Sequence, residues 1–207
     1  MAVLELSAIF VGNVMIDSLF NQLKRAENSK VREELKVADK DYAVLTLHRP
    51  SNVDERETFS RLLNALESIN EKLPVIFPVH PRTRGRIDEF GFSERANKLM
   101  LIEPLGYLDF LRLYSGARLV LTDSGGIQEE TTALGIPCLT LRENTERPIT
   151  VEMGTNKVVG TDTDKIEQEA FEILSSSKTN EPARIPPLWD GKTAERICDA
   201  LLEKSNH

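Results

Sequence analysis

The stretch Leu119–Gly135, LVLTDSGGIQEETTALG, concentrates the residues whose types and spacing suit chemistry. An apolar run, Leu119–Leu121, stops at Thr122-Asp123-Ser124. Gly125 and Gly126 follow, then a helix-like segment with Glu129 and Glu130 near its start and Gly135 past its end. This is the pattern of a strand, a tight turn and a helix N-terminus. Such a terminus offers N–H groups without partners and a partial positive charge, so it binds anions, phosphates above all. Glycine has no Cβ to hold a phosphate away from the backbone. A nucleotide or sugar-phosphate site is the reading with chemical content. The plain alternative is an ordinary strand-to-helix turn capped by Ser124.

Other polar residues follow apolar runs in the same way. His48, with Arg49, Pro50 and Ser51 after it, closes the run Tyr42–Leu47. An imidazole there can hydrogen-bond phosphate or exchange a proton near neutrality, or it can simply finish the strand. Arg49 can form charge-assisted bonds to a diphosphate, or pair with a carboxylate such as Glu55. Glu130 stands one helical turn beyond the glycines, where a carboxylate accepts from two adjacent hydroxyls such as those of ribose. Glu129 competes for that role, and either can be explained by the macrodipole alone. Arg147, in the stretch NTERP, can neutralise phosphate or close a salt bridge with Glu143 or Glu146. His80 and Arg82 end another apolar run and are expected at the rim.

The elements that must position these residues alternate along the chain. Strands are predicted at Tyr42–Leu47, Val75–Val79, Leu99–Ile102, Arg118–Thr122, Pro137–Leu141 and Lys157–Gly160. Between them, Phe59, Leu62, Leu63, Leu66 and Ile69 share one helical face, and helices are predicted at Arg84–Phe90, Tyr107–Tyr114 and Gly126–Leu134. In Tyr107–Tyr114, Leu108, Leu111 and Phe110 are candidates to face inward. Two more helices are predicted at Asp164–Leu174 and Thr193–Lys204, with a surface loop over Ser175–Asp190 between them. Alternation of this kind implies an α/β fold with a doubly wound parallel sheet of strand order 3-2-1-4-5-6. Ligands then bind where the order reverses, beyond the carboxyl ends of strands 1 and 4. That places His48 and Arg49 on one side of a crevice and Asp123–Gly126 on the other. No GxGxxG follows strand 1, which argues against a dinucleotide redox cofactor.

The 207 residues allow one sizeable domain or two small ones, and 40% hydrophobic with 29% charged residues is ordinary for a globular protein. A net charge of −7 argues against a nucleic-acid partner. No apolar run reaches the roughly 20 residues of a membrane helix, and Met1–Val11 is too short and too poor in basic residues for a signal peptide. Cys138 and Cys198 lie far apart, with Cys138 read as a reduced core residue. A cytoplasmic setting and no metal site are expected.

The segments LTLHRPSNVD (Leu45–Asp54), FPVHPRTR (Phe77–Arg84), PLGYLDFLRLYSGARLVLTDSGGIQEE (Pro104–Glu130), the stretch around Asn144–Pro148 and WDGKTAERI (Trp189–Ile197) resemble the C-terminal half of the non-hydrolysing UDP-N-acetylglucosamine 2-epimerases. The resemblance runs from about Ile9 to about Leu202, with the long central segment the most specific. It implies a Rossmann-like domain that binds UDP within a two-domain GT-B fold. By the same resemblance Ser124, Gly125 and Gly126 bind the diphosphate, Glu130 takes the ribose hydroxyls and Phe110 lies by the uracil. Arg147 and His48 face the diphosphate and the reacting sugar. The implied reaction inverts carbon 2 of the sugar by eliminating UDP and adding it back, with no metal or cofactor. The acidic catalytic residues come from an N-terminal domain that this sequence lacks. Residues 1–20 are then expected to be a remnant of the interdomain connection, and residues 21–207 the UDP-binding domain. Met1–Ser7 matches nothing in the family, and helix Thr193–Lys204 is expected to face the absent domain. The implied partners are a UDP-sugar and either a second copy of the chain or a separate N-terminal-domain polypeptide. The rival readings are a non-catalytic UDP-sugar-binding module, a GT-B glycosyltransferase and a hydrolysing epimerase.

Overall fold

Every strand predicted from an apolar run is present, and all run parallel in one sheet. The computed structural model describes residues 8–176 and 184–205, so Met1–Ser7, part of the predicted loop Ser175–Asp190 and His207 lie outside it. The strands are β1 (Ala43–Thr46), β2 (Val75–Pro78), β3 (Met100–Ile102), β4 (Leu119–Thr122), β5 (Cys138–Thr140) and β6 (Asn156–Val158). Their order is β3-β2-β1-β4-β5-β6, as the alternation requires. The helices are α1 (Val14–Ala26), α2 (Val31–Glu34), α3 (Pro50–Val53), α4 (Arg56–Asn70), α5 (Pro81–Glu89), α6 (Ser93–Ala96), α7 (Tyr107–Ser115), α8 (Gly125–Leu134), α9 (Ile149–Glu152), α10 (Thr163–Ser175) and α11 (Thr193–Ser205).

The strands read as unbroken apolar runs because both sheet faces are covered. Successive side chains point to opposite faces. Ala43, Leu45, Val75, Phe77, Leu119 and Leu121 enter one core with Phe59, Leu62 and Leu66 of α4 and Ile166 and Ala170 of α10. Val44, Ile76 and Val120 enter the other with Ile16 and Leu19 of α1 and Leu111 and Tyr114 of α7. Each Leu or Phe so buried contributes about 1.5–3 kcal/mol. Cys138 is buried and free, and that burial pushes its thiol pKa up to about 12. At the carboxyl ends Thr46, Thr122 and Thr140 stand in register across β1, β4 and β5.

The structure adjusts some boundaries. α5 starts at Pro81, ahead of the predicted Arg84, because His80 caps it: Nδ1 accepts from the Arg82 N–H at 3.2 Å. Pro81 then occupies a first-turn position that needs no N–H. α8 stops where Gly135 takes a left-handed conformation at φ 70°, an arrangement glycine adopts freely. α1 has no counterpart in the sequence reading. Its N-cap Asn13 accepts from the Met15 N–H, and the helix runs unbroken through residue 20 with Ile16 and Leu19 fully buried. Asp17 of α1 accepts from the first N–H groups of α11, Thr193 at 3.0 Å and Ala194 at 2.7 Å. Burial opposes the charge, yet the bonds from Ala194 and Thr193 hold the Asp17 carboxyl below its ordinary pKa. Side chains of α11, of the first turn of α1 and of the segment leading into it remain exposed, among them Phe10, Val14, Met15, Leu201 and Leu202.

Candidate functional site

A cavity of about 440 Å³ opens at the carboxyl ends of β1, β2 and β4, where the strand order reverses. His48, His80, Leu105, Phe110, Ser124 and Ile127 line it. Ser124 stands at the N-cap of α8, but its side chain makes no capping bond. Its own N–H is taken by Thr122 Oγ1 at 3.0 Å. The plain reading of Ser124 as a side-chain cap is therefore not met, and the residue lines the cavity. A Cβ built on Gly125 or Gly126 would meet nothing within 4 Å, and neither residue has a left-handed backbone. Internal packing and backbone strain therefore do not require glycine at either position. Access to the helix N-terminus does gain from it.

On the opposite wall, His48 is organised by Asp123, which is fully buried. Asp123 Oδ2 accepts from the main-chain N–H of His48 at 2.9 Å and of Arg49 at 2.7 Å. The same oxygen accepts from Asn52 Nδ2 at 3.3 Å, and Asn52 Nδ2 also donates to the Leu141 carbonyl at 2.8 Å. Asp123 Oδ1 lies 2.9 Å from His48 Nδ1. The bond to Asp123 lifts the His48 pKa above its ordinary value, against partial burial. His80, expected at the rim, lines the same cavity, with ring centroids 6.1 Å from His48. Arg82 does sit outside it, pairing with Asp54.

Glu130 and Glu129 point to different partners. Glu130 is buried, and its carboxylate accepts from the Tyr107 hydroxyl at 3.0 Å and the Tyr114 hydroxyl at 2.6 Å. Burial raises its pKa, with the two phenols opposing. Phe110 is half-buried between these tyrosines on α7. Its ring packs on Tyr114 at 5.1 Å while it also lines the cavity, so its core role and its place at the site coexist. Glu129 lies 3.1 Å from Arg147 Nε and accepts from Asn13 Nδ2 at 3.0 Å. Arg147 thus pairs with Glu129, where Glu143 and Glu146 had been expected. Neither glutamate merely complements the helix dipole.

Arg49 also departs from its expected pairing. Glu55 accepts from Thr58 Oγ1 at 2.5 Å. Arg49 instead contributes, after Arg142, to holding the exposed Glu146 carboxyl below its ordinary pKa, and Arg147 adds to the same effect. Of these three guanidiniums, Arg142 is the one that pairs with the Glu146 carboxylate, at 3.1 Å. Asn52, Tyr107 and Tyr114 were missed as site residues, and Asp123 was placed at the crevice without a role of its own. Asp123 had a local signal, since it precedes Ser-Gly-Gly at the switch-point strand; the tyrosines had none. Among the described residues, no group of three or more His, Cys, Asp or Glu side chains is placed to hold a metal ion. Nor is any helix there long and apolar enough to cross a membrane.

Comparison with known proteins gives this geometry a context. The sequence model of the family described as UDP-N-acetylglucosamine 2-epimerase matches residues 3–202. A UDP-N-acetylglucosamine 2-epimerase of Methanocaldococcus jannaschii is 45% identical over 96% of this chain and 56% of its own length. The crystal structure of the M. jannaschii UDP-GlcNAc 2-epimerase in complex with UDP-GlcNAc and UDP superposes with a TM-score of 0.81 at 40% identity, covering 94% of this chain and 54% of that one. A sucrose-phosphate synthase from Thermosynechococcus elongatus, 19% identical with a TM-score of 0.51 over 83% of this chain and 44% of that one, shares the fold alone. The sheet is thus the Rossmann-like C-terminal half of a GT-B fold, and the chain spans about half the length of the curated relatives it matches. With the family model matched along nearly its whole length, the chain belongs to the UDP-N-acetylglucosamine 2-epimerase family.

Proposed function

We propose that this chain is the UDP-binding half of a UDP-N-acetylglucosamine 2-epimerase, and that it binds UDP but does not turn substrate over by itself. The observation that carries this reading is the unobstructed N-terminus of α8 at the switch point, with the Ser124 hydroxyl free of capping and open space over Gly125 and Gly126. In this reading Ser124, Gly125 and Gly126 cradle the diphosphate. Glu130, oriented by its two tyrosines, accepts from the ribose hydroxyls, and Phe110 lies against the uracil. His48 faces the diphosphate and the reacting sugar, with Arg49 and Arg147 supplying positive charge as UDP departs. Inversion at carbon 2 needs an acid and a base at the sugar. We assign those carboxylates to a second Rossmann-like domain, supplied by another polypeptide or a longer chain, that closes over the crevice. Residues 1–20 then form the connection to it, and the UDP domain takes over within α1. The exposed apolar side chains Phe10, Val14 and Met15 support a covering partner there. The free, buried Cys138 supports a cytoplasmic setting.

Calorimetric titration of the purified chain with UDP, with UMP and NAD as controls, tests the reading. Saturable UDP binding is expected, together with no epimerisation of the UDP-sugar. Glu130→Ala should weaken UDP by about tenfold or more, as expected for hydrogen bonds to a charged group. It should leave a ribose-free pyrophosphate unaffected. Equal losses for the two ligands would remove the ribose role, and robust epimerisation by the chain alone would remove the half-enzyme reading.

A further inference from the structure

The two oxygens of Asp123 face unlike neighbours. Oδ2 is surrounded by donors that cannot turn away: two are main-chain N–H groups, and the third, from Asn52, is also held by the Leu141 carbonyl. Oδ1 lies 2.9 Å from His48 Nδ1 and has no other polar partner, although the two are not aligned as a good hydrogen bond. Two bare lone pairs would repel at this separation, so a hydrogen lies between them. A carboxyl group is ordinarily far more acidic than an imidazolium, and an ionised carboxylate offers only lone pairs. The hydrogen therefore belongs to Nδ1. We propose that Asp123 is a positioning residue that fixes His48 as the Nδ1–H tautomer, leaving Nε2 as the atom that takes up or releases a proton at the crevice. The relevance to turnover rests on the UDP-sugar reading above; the tautomer assignment does not.

The other groups around His48 fit this assignment. His80, at the end of β2, keeps its own Nδ1 as an acceptor for the Arg82 N–H, so it is not the partner of His48 Nδ1. Arg49, on the same loop as His48, disfavours an imidazolium, while the Asp123 carboxylate favours it and prevails. The protonated ring thus carries its second N–H on Nε2, a donor for a departing diphosphate. The neutral ring presents a bare Nε2, an acceptor.

Asp123→Asn makes a discriminating variant. The donors around Oδ2 still need an oxygen, so the amide oxygen must stay there and the amide NH2 must turn toward His48 Nδ1. Nδ1 then becomes an acceptor and the neutral ring is forced to Nε2–H. The test is nitrogen NMR of the imidazoles across pH in the full chain, with the His48 signals identified by their loss in His48→Gln. In the wild type, neutral His48 is expected to carry its proton on Nδ1 and to titrate above the ordinary value of 6.5. In Asp123→Asn the tautomer should invert and the His48 titration should move to lower pH. A purely structural Asp123 would loosen the loop without inverting the tautomer. A wild-type His48 protonated on Nε2 when neutral would overturn the proposal, and that measurement does not depend on the variant folding. A folded Asp123→Asn with unchanged tautomer and titration would overturn it as well. UDP binding is read separately, so a chain that fails to bind UDP would remove the nucleotide reading and leave the tautomer assignment standing.

Discussion

Of the three buried carboxylates on one strand–helix unit, Asp123 and Glu130 are held by different classes of donor. Asp123 is bound chiefly by main chain, the N–H groups of His48 and Arg49, with Asn52 added. Glu130 is bound by two phenols that reach it from α7. Main-chain donors are fixed by the fold, so Asp123 belongs to the scaffold and ties the loop after β1 to the loop after β4. Phenol donors sit on side chains that can share the carboxylate with incoming hydroxyls. Burial destabilises the charge on Glu130, and it likewise pushes both tyrosine pKa values upward, so those hydroxyls stay protonated donors. Charge anchored by backbone organises a site, and charge anchored by side chains remains available to a ligand.

The contrast can be broken most severely at Asp123. Asp123→Ala leaves several buried donors without an acceptor and should lower unfolding stability by about 3 kcal/mol or more, read by urea denaturation. A loss below about 1 kcal/mol would place Asp123 no deeper in the scaffold than a surface residue. Tyr114→Phe removes one donor from Glu130 and keeps the ring against Phe110. It should lower stability by roughly 1–2 kcal/mol and weaken UDP in calorimetry. If UDP affinity does not change, Glu130 has no need of its phenols to hold a ligand. The smallest effect is expected at Ser124, where the comparison sharpens. Ser124→Ala should leave stability within about 0.5 kcal/mol, since the hydroxyl caps nothing. It should weaken UDP by about 1 kcal/mol, one hydrogen bond. A clear stability loss would show that the hydroxyl serves the helix after all.

Most of the sheet was legible because each strand is one apolar run bounded by polar turn residues, and strand order follows from alternation with helices. The Ser124-Gly125-Gly126 turn and the stop at Gly135 were legible for the same reason: their signals lie within a few residues. What escaped depends on distance along the chain. Tyr107 and Tyr114 reach Glu130, Arg147 and Asn13 meet on Glu129, and Asp123 grips a loop that begins at His48. Side chains so paired carry no mark of their partner in the sequence. α1 is a different kind of miss. Asn13 is a sound N-cap, and Ile16 and Leu19 share a helical face, but the resemblance had assigned this stretch to a connection.

The row Thr46, Thr122 and Thr140 acts as a waterline. Below it lie residues such as Leu45, Leu121 and Leu139, dry on every side. At it, Thr46 and Thr122 join hydroxyls at 2.6 Å and Thr140 donates to Asn156. Just above it stand His48, Arg49 and Ser124. One rung of hydroxyls separates the part of the sheet that answers to packing from the part that answers to a ligand. Changes one residue below that line should be felt in folding, and changes two residues above it, at His48 and Ser124, in binding.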